Sequence, residues 1–147
     1  MKKYAGDNIL TDHSSWSFSG DTYKNFDNHI LKSVPLYDWS HYVGLKISDF
    51  FLSNETSMVD LGSSTGTFIK KLALKNKNKK IKYFGYDTVD NMIKSSKKNC
   101  KKIKSAKFIK QDFSKKNIVK NNFTTSFYTL QFIHPSKRLE VLKKIYK

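Results

Sequence analysis

Cysteine, arginine and proline are almost missing from this sequence, and each shortage removes a class of explanation. The single cysteine, Cys100, lies in a lysine-rich segment, so neither a disulfide framework nor a cysteine metal site can be built. The four histidines, His13, His29, His41 and His134, show no metal-ligand spacing, and no bound metal is expected. His29 reads as a satisfied structural histidine. No apolar run approaches the roughly 20 residues that cross a bilayer. The N-terminal Met-Lys-Lys-Tyr-Ala-Gly-Asp has no apolar stretch after its charges, which predicts no signal peptide and a cytoplasmic location. The two prolines mark the end of one helix and the start of another, with no Pro-rich linker.

Arginine is the most informative shortage. Net charge is +16, from 28 basic and 12 acidic residues, and dense positive charge is attracted to nucleic acid. Yet Arg138 is the sole arginine, and arginine is the better reader of phosphates and bases. Lys, Asn, Ile, Phe and Tyr are all abundant and share A/T-rich codons. A solvated lysine surface is the favoured reading.

What is present suffices for one folded unit. The chain has 147 residues, 38% of them apolar and 14% aromatic, enough to fill a core. Residues Met1 to Ser15 are unpatterned and read as a loose arm. From Trp16 to Tyr37, Phe26, Ile30, Leu31 and Val34 recur at helical spacing until Pro35 stops them. Asp38 then caps a second helix, whose Val43, Ile47, Phe50 and Phe51 should face inward. Strands follow at "SMVDL", at "IKYFGYD" ending on Asp87, at "AKFIKQD" ending on Asp112, and at "FTTSFYTLQFI". Between them lie a helix burying Ile69, Leu72 and Ala73, and another with Val89, Met92 and Ile93 as its apolar stripe. Pro135 opens a last helix with Leu139, Leu142, Ile145 and Tyr146 inward. Strands alternating with helices predict an α/β fold with a parallel sheet of right-handed crossovers.

The chemistry concentrates in "MVDLGSSTGTFIKKL", a strand, a small-residue turn and a helix. Gly62 and Gly66 flank Ser63, Ser64 and Thr65, and glycine allows both a sharp turn and a close ligand. No Lys-Ser/Thr pair follows the second glycine, so a P-loop is a poor match. Ser64 stands where the dinucleotide fingerprint needs its middle glycine. What remains is an acid, Asp60, at the end of the first strand, with two more acids ending the next two. Asp87, about 20 residues beyond Gly66, is placed to accept both hydroxyls of a ribose. Asp112 can accept from an adenine amino group. Three acids at successive strand tips describe a pocket for a nucleoside carrying positive charge, and a sulfonium with an α-amino group fits better than a phosphate.

These residues resemble the class I S-adenosylmethionine (SAM) dependent methyltransferase family, and within it the branch of the carboxy-SAM synthases of tRNA wobble-uridine modification. "VDLGSSTGTF" resembles the first motif, "YFGYD" the second and "IKQDF" the adenine-contacting segment. "FYTLQFIHPSKRLEVLKKIY" is similar to the fourth strand and its helix, and "FDNHILKSVPLYD" to the helix preceding the domain. The resemblance implies a Rossmann-like sheet of order 3-2-1-4, a helical cap within residues 1–52 and a SAM-binding domain over 53–147. It implies that Gly62, Ser63 and Gly66 pass under the methionine part of SAM, with Asp60 toward its amino group. Asp87 would take the ribose, Asp112 and Phe113 would frame the adenine, and Met92 would pack on its face. Tyr37 would reach the methionine end from the cap, and Tyr128 and Gln131 would stand on the acceptor side.

Two departures accompany the resemblance. Phe127 occupies the place of a polar amide in the synthases. The family continues for three more strands, and the arginine that holds the added carboxylate lies in that later half, which argues against carboxy-SAM synthesis by this chain. The fourth strand is then an apolar edge, expected to be covered by a second copy or another partner. The expected activity is methyl transfer to an unidentified acceptor, a small molecule or tRNA. The alternatives are a SAM-binding module without catalysis and a tRNA-modifying enzyme.

Overall fold

The computed structural model describes residues 3–4, 10–11 and 22–146. Within the segment expected to be a loose arm, β1 (Lys3–Tyr4) and β2 (Leu10–Thr11) pair antiparallel. The rest of that arm, and Trp16, lie outside the described residues. Helices α1 (Thr22–Ser33) and α2 (Tyr37–Ile47) form the cap. Then β3 (Ser57–Leu61), α3 (Thr67–Lys75), β4 (Lys82–Asp87), α4 (Asp90–Asn99) and β5 (Ala106–Lys110) alternate. The short β6 (Phe123–Thr125) and α5 (Pro135–Tyr146) complete the fold.

The four later strands are all parallel, in the order β5-β4-β3-β6, which is the expected 3-2-1-4. Central β3 is covered on both faces, which is why it reads as an apolar run rather than an alternation. Met58 packs with Phe68, Ile69 and Leu72 beneath α3, while Val59 and Leu61 pack with Val141 of α5 on the opposite face. Leu72 is fully buried, so Leu72→Ala costs about 2–5 kcal/mol in lost transfer and cavity terms. Among the described residues, no helix is long and apolar enough to cross a membrane, and no cluster of three or more His, Cys, Asp or Glu could hold a metal.

Five expectations need correction. Helix α1 covers only Thr22–Ser33, and its inward residues are Phe26 and His29, with Leu31 exposed. Helix α2 is turned over: His41, Gly44 and Ser48 are buried, while Val43, Ile47, Phe50 and Phe51 face outward. The reason is close approach. A Cβ on Gly44 would lie 2.8 Å from the Phe127 ring and 3.2 Å from Phe68, so only a small-residue face can be seated there. Nor does Asp38 cap this helix; Leu36 holds the N-cap position, and Asp38 pairs with Lys71 of α3 at 2.7 Å.

The fourth strand is three residues long, not eleven. After Thr125 the chain leaves the sheet, Tyr128 takes a positive φ of 52°, and Leu130–Phe132 form a 3-10 turn. In α5 the inward residue is Val141, with Ile145 packed beside it, whereas Leu139, Leu142 and Tyr146 are exposed.

Candidate functional site

The segments that follow β3, β4, β5 and β6 open onto one cavity of about 910 Å³, roofed by Phe26, Ile30 and Val34 of the cap. This is the crevice outside the carboxyl ends of an open parallel sheet. Its floor is the turn after β3, where Gly62 (φ 76°), Ser64 (φ 49°) and Gly66 (φ 78°) are all left-handed. The backbone N–H groups of Gly62 and Ser63 donate to the Tyr86 carbonyl at 2.8 and 2.9 Å, which ties the turn to the end of β4.

Asp87 extends that tie. Its Oδ2 accepts from Ser64 N–H and its Oδ1 from Val89 N–H, both at 2.9 Å. Burial pushes the carboxyl upward from its ordinary pKa, and the backbone donors oppose the shift. Asp60 is the most deeply placed acid. Thr125 Oγ1 donates to it at 2.8 Å, and burial raises its pKa to about 7, with the Asp87 charge adding to the effect. A carboxyl in that state is half-ionised near neutrality and is stabilised by any cation brought to it.

Asp112 is bound up locally. Its Oδ1 accepts from Ser114 Oγ at 2.6 Å and from Ser114 N–H at 3.0 Å, and these bonds hold it below the usual carboxylate range. Phe113 beside it is buried against Tyr86 and Val141. Met92 is buried on the cavity wall, its sulfur 3.5 Å from Ser64 Oγ.

Tyr37, Tyr128 and Gln131 stand at the other end. The Tyr37 ring lies 4.5 Å from His41 and 5.7 Å from Tyr128 between centroids, and Tyr128 OH donates to the Pro35 carbonyl at 3.4 Å. Burial first, then the charges of Asp27 and Asp60, push the Tyr37 hydroxyl well above its ordinary value. Gln131 lies on the rim, in the 3-10 turn rather than on a strand.

Of the expected site residues, Tyr37, Asp60, Gly62, Ser63, Asp87, Met92, Asp112, Phe113, Tyr128 and Gln131 all line this cavity. Gly66 does not. A Cβ there would meet Phe108 and Ser96 at 3.0 Å, so this glycine lets α4 and β5 close on the turn from behind. Gly62 lines the cavity, but its Cβ position is filled by Thr129, 2.2 Å away.

Three lining residues escape sequence reasoning. Thr129 is carried over the turn only because β6 ends early. Thr65 is buried and donates to Asp27 of α1 at 2.8 Å. His41 is 2% exposed, has no partner for Nδ1 among the described residues, and sits between Phe68 and Phe127 at 5.3 and 4.8 Å. Burial lowers its pKa to about 4, so it is neutral at pH 7. The available signal was the stripe Tyr37, His41, Gly44, Ser48, a helical spacing of polar and small residues.

Two polar groups in the cavity are available to a ligand. Ser63 Oγ is buried and unpartnered among the described residues, and the Asp60 carboxyl is buried with one hydroxyl donor.

Residues 52–147 match a family described as a methyltransferase domain. A carboxy-S-adenosyl-L-methionine synthase from Nautilia profundicola is 35% identical over 132 residues, which are 89% of this chain and 56% of that protein. A synthase of the same name from Campylobacter concisus is 32% identical over 143 residues, 95% of this chain and 60% of that one. The chain therefore spans little more than half the length of these relatives.

Among solved structures, a putative SAM-dependent methyltransferase from Methanococcus maripaludis superposes with a TM-score of 0.66 at 19% identity, over 92% of this chain and 62% of that one. A methyltransferase from Geobacter sulfurreducens in complex with S-adenosylhomocysteine gives 0.54 at 18% identity, over 69% of this chain and 42% of that one. At such identities the likeness is one of fold.

Proposed function

Because this chain belongs to the methyltransferase-domain family, we propose that its cavity binds S-adenosyl-L-methionine and directs the cofactor's methyl group to an acceptor. The observation that carries the reading is that acids at the tips of three adjacent strands, Asp60, Asp87 and Asp112, open onto one cavity floored by a left-handed turn. Asp87 would accept the ribose hydroxyls with the lone pairs left by Ser64 and Val89. Asp60 would meet the α-amino group, Ser63 Oγ would donate to the carboxylate beside it, and Met92 with Phe113 would hold the adenine. Asp112, already engaged by Ser114, contributes the shape of its loop more than a free carboxylate. Bound there, SAM supplies an activated methyl on a good leaving group, so the residues around it need only align an acceptor and exclude water. Tyr37, His41, Phe127 and Tyr128 make that end of the cavity aromatic, a wall suited to dry the reacting atoms.

The test is calorimetric titration of the chain with SAM and S-adenosylhomocysteine. We expect saturable binding of both, weakened roughly 10–100-fold in Asp87→Asn, which loses the charge but keeps an acceptor. A folded chain that takes up neither ligand would sink the reading.

One observation favours a narrower product. The relatives are named carboxy-SAM synthases, and the lining of this cavity includes Lys137, a cation suited to a carboxylate. Carboxy-SAM formation is therefore the second reading, and mass spectrometry of the nucleosides released after turnover separates it from methyl transfer.

A further inference from the structure

The cap is joined to the cavity floor by a contact between Asp27 of the pre-domain helix and two hydroxyls of the first motif, a contact to which the cofactor reading assigns no role. Asp27 of α1 points its Oδ1 at two hydroxyls, Thr65 Oγ1 at 2.8 Å and Thr67 Oγ1 at 3.0 Å. The hydroxyls are 3.1 Å from each other; Thr65 is buried, and Asp27 and Thr67 are half-buried. Thr65 is the last residue of the turn before Gly66, and Thr67 opens α3. A carboxylate accepting from two hydroxyls is a charge-assisted pair, and partial burial shields it from salt.

What that pair holds is a weakly secured helix. α1 has 12 residues, too few for independent stability in water, and its buried side chains are Phe26 and His29. Its main neighbours among the described elements are α2 and α4. Its inner face presents Phe26, Ile30 and Ser33 to the cavity. Any ligand on the turn lies beneath it.

We propose that Asp27 is a positioning residue that clamps the cap to the turn through Thr65 and Thr67, and so sets the rate at which a cavity ligand exchanges with solvent. The identity of the ligand rests on the SAM reading, but the clamp does not. Breaking it frees α1 to lift while the sheet stays folded.

Amide hydrogen exchange on the unliganded chain tests the clamp directly. Asp27→Ala should speed exchange across residues 22–33 by about tenfold or more and leave β3, β4 and β5 unchanged. Thr65→Val with Thr67→Val should do the same, and the triple variant should add nothing, because all three remove one interaction. Asp27→Asn keeps an Oδ1 acceptor and should restore most of the protection. Thr67→Val alone should loosen α1 by an intermediate amount, and it serves as the measurement if Asp27→Ala unfolds.

Stopped-flow release of S-adenosylhomocysteine should quicken about tenfold in Asp27→Ala, with association little changed. Unaltered α1 exchange in Asp27→Ala, or additive effects in the triple variant, would overturn the clamp. So would unchanged release kinetics in a variant whose α1 has loosened. If α1 loosens as expected but the parent chain binds no S-adenosylhomocysteine, the clamp stands as the tie of α1 and the SAM reading fails instead.

Discussion

At the scale of single residues, the buried Asp60 makes the sharpest commitment. Its pKa is raised from 3.8 to about 7, so the folded chain holds a proton that the unfolded chain has released. The sign follows from linkage: this group favours folding fully below its unfolded value and loses that contribution as pH rises from about 4 through 7. The loss is about 4 kcal/mol at most. Asp60→Asn cannot titrate, so its melting temperature should exceed that of the parent at pH 8 and not at pH 4, read by thermal scans at both. Ligand binding should run the other way. An ammonium favours ionised Asp60, so affinity for S-adenosylhomocysteine should rise about tenfold between pH 6 and 8 in the parent and stay flat in Asp60→Asn. Calorimetry near pH 7 in buffers of different ionisation heat should register proton release on binding. Equal pH profiles in the two proteins would remove Asp60 from the amine site. The same residue shows how much was legible: its place at the end of "SMVDL" marks a strand-tip acid, but only the covered sheet around it accounts for its protonation, against the opposing hydrogen bond from Thr125, 65 residues later.

At the scale of elements, α2 carries the most instructive departure. Periodicity points its apolar residues at the core, yet the helix buries His41 and Gly44 instead, followed by Ser48 at its C-cap. Contact distance decided the matter, because Phe68 and Phe127 leave no room for a Cβ at Gly44. A column of lysines on α3 holds this orientation: Lys71 pairs with Asp38, and Lys75 reaches the Leu45 carbonyl and Asp49. Entry into α2 is strained. Leu36 sits at φ 59° and is 71% exposed, an arrangement that disfavours any residue with a Cβ. Leu36→Gly should relieve about 1 kcal/mol and raise the melting temperature by roughly 2–4 °C, with ligand affinity unchanged. A fall in melting temperature would mean that Leu36 contributes more by contact than it costs in backbone strain.

At the scale of the whole molecule, β6 is an edge strand, with an exposed apolar helix face on each side of the sheet beside it. Leu36, Trp39, Val43 and Ile47 lie on one side, and Leu139 and Leu142 of α5 on the other. An open edge between two such faces invites another polypeptide. The 147-residue chain should therefore self-associate as its concentration approaches about 100 μM, and Ile47→Lys should shift it toward monomer in sedimentation experiments. A parent chain that stays monomeric there would show that its charge outweighs the apolar faces. The lysines bear on a second partner. Lys94, Lys97, Lys98, Lys101, Lys102 and Lys104 are all exposed along α4 and the turn after it. With no arginine among them, they should bind RNA without sequence preference and release it steeply as salt rises from 50 to 200 mM in a filter-binding assay. Binding that survives the higher salt would favour an RNA acceptor.

The sequence by itself determined the order of elements, the parallel sheet, the strand-tip acids and the family, because hydrophobic periodicity and the spacing of small residues are local properties. "SMVDL" and the glycine turn are read correctly from fewer than ten neighbouring residues. Tertiary structure decided which face of α2 and α5 is buried, where the fourth strand stops, and that Gly66 serves packing while Gly62 lies on the cavity wall. It alone brought Thr65, His41 and Thr129 to one cavity and set Asp27 of α1 against Thr65. Those outcomes depend on contacts between residues tens of positions apart, where the room left by one side chain dictates the orientation of another, and no local pattern carries that information.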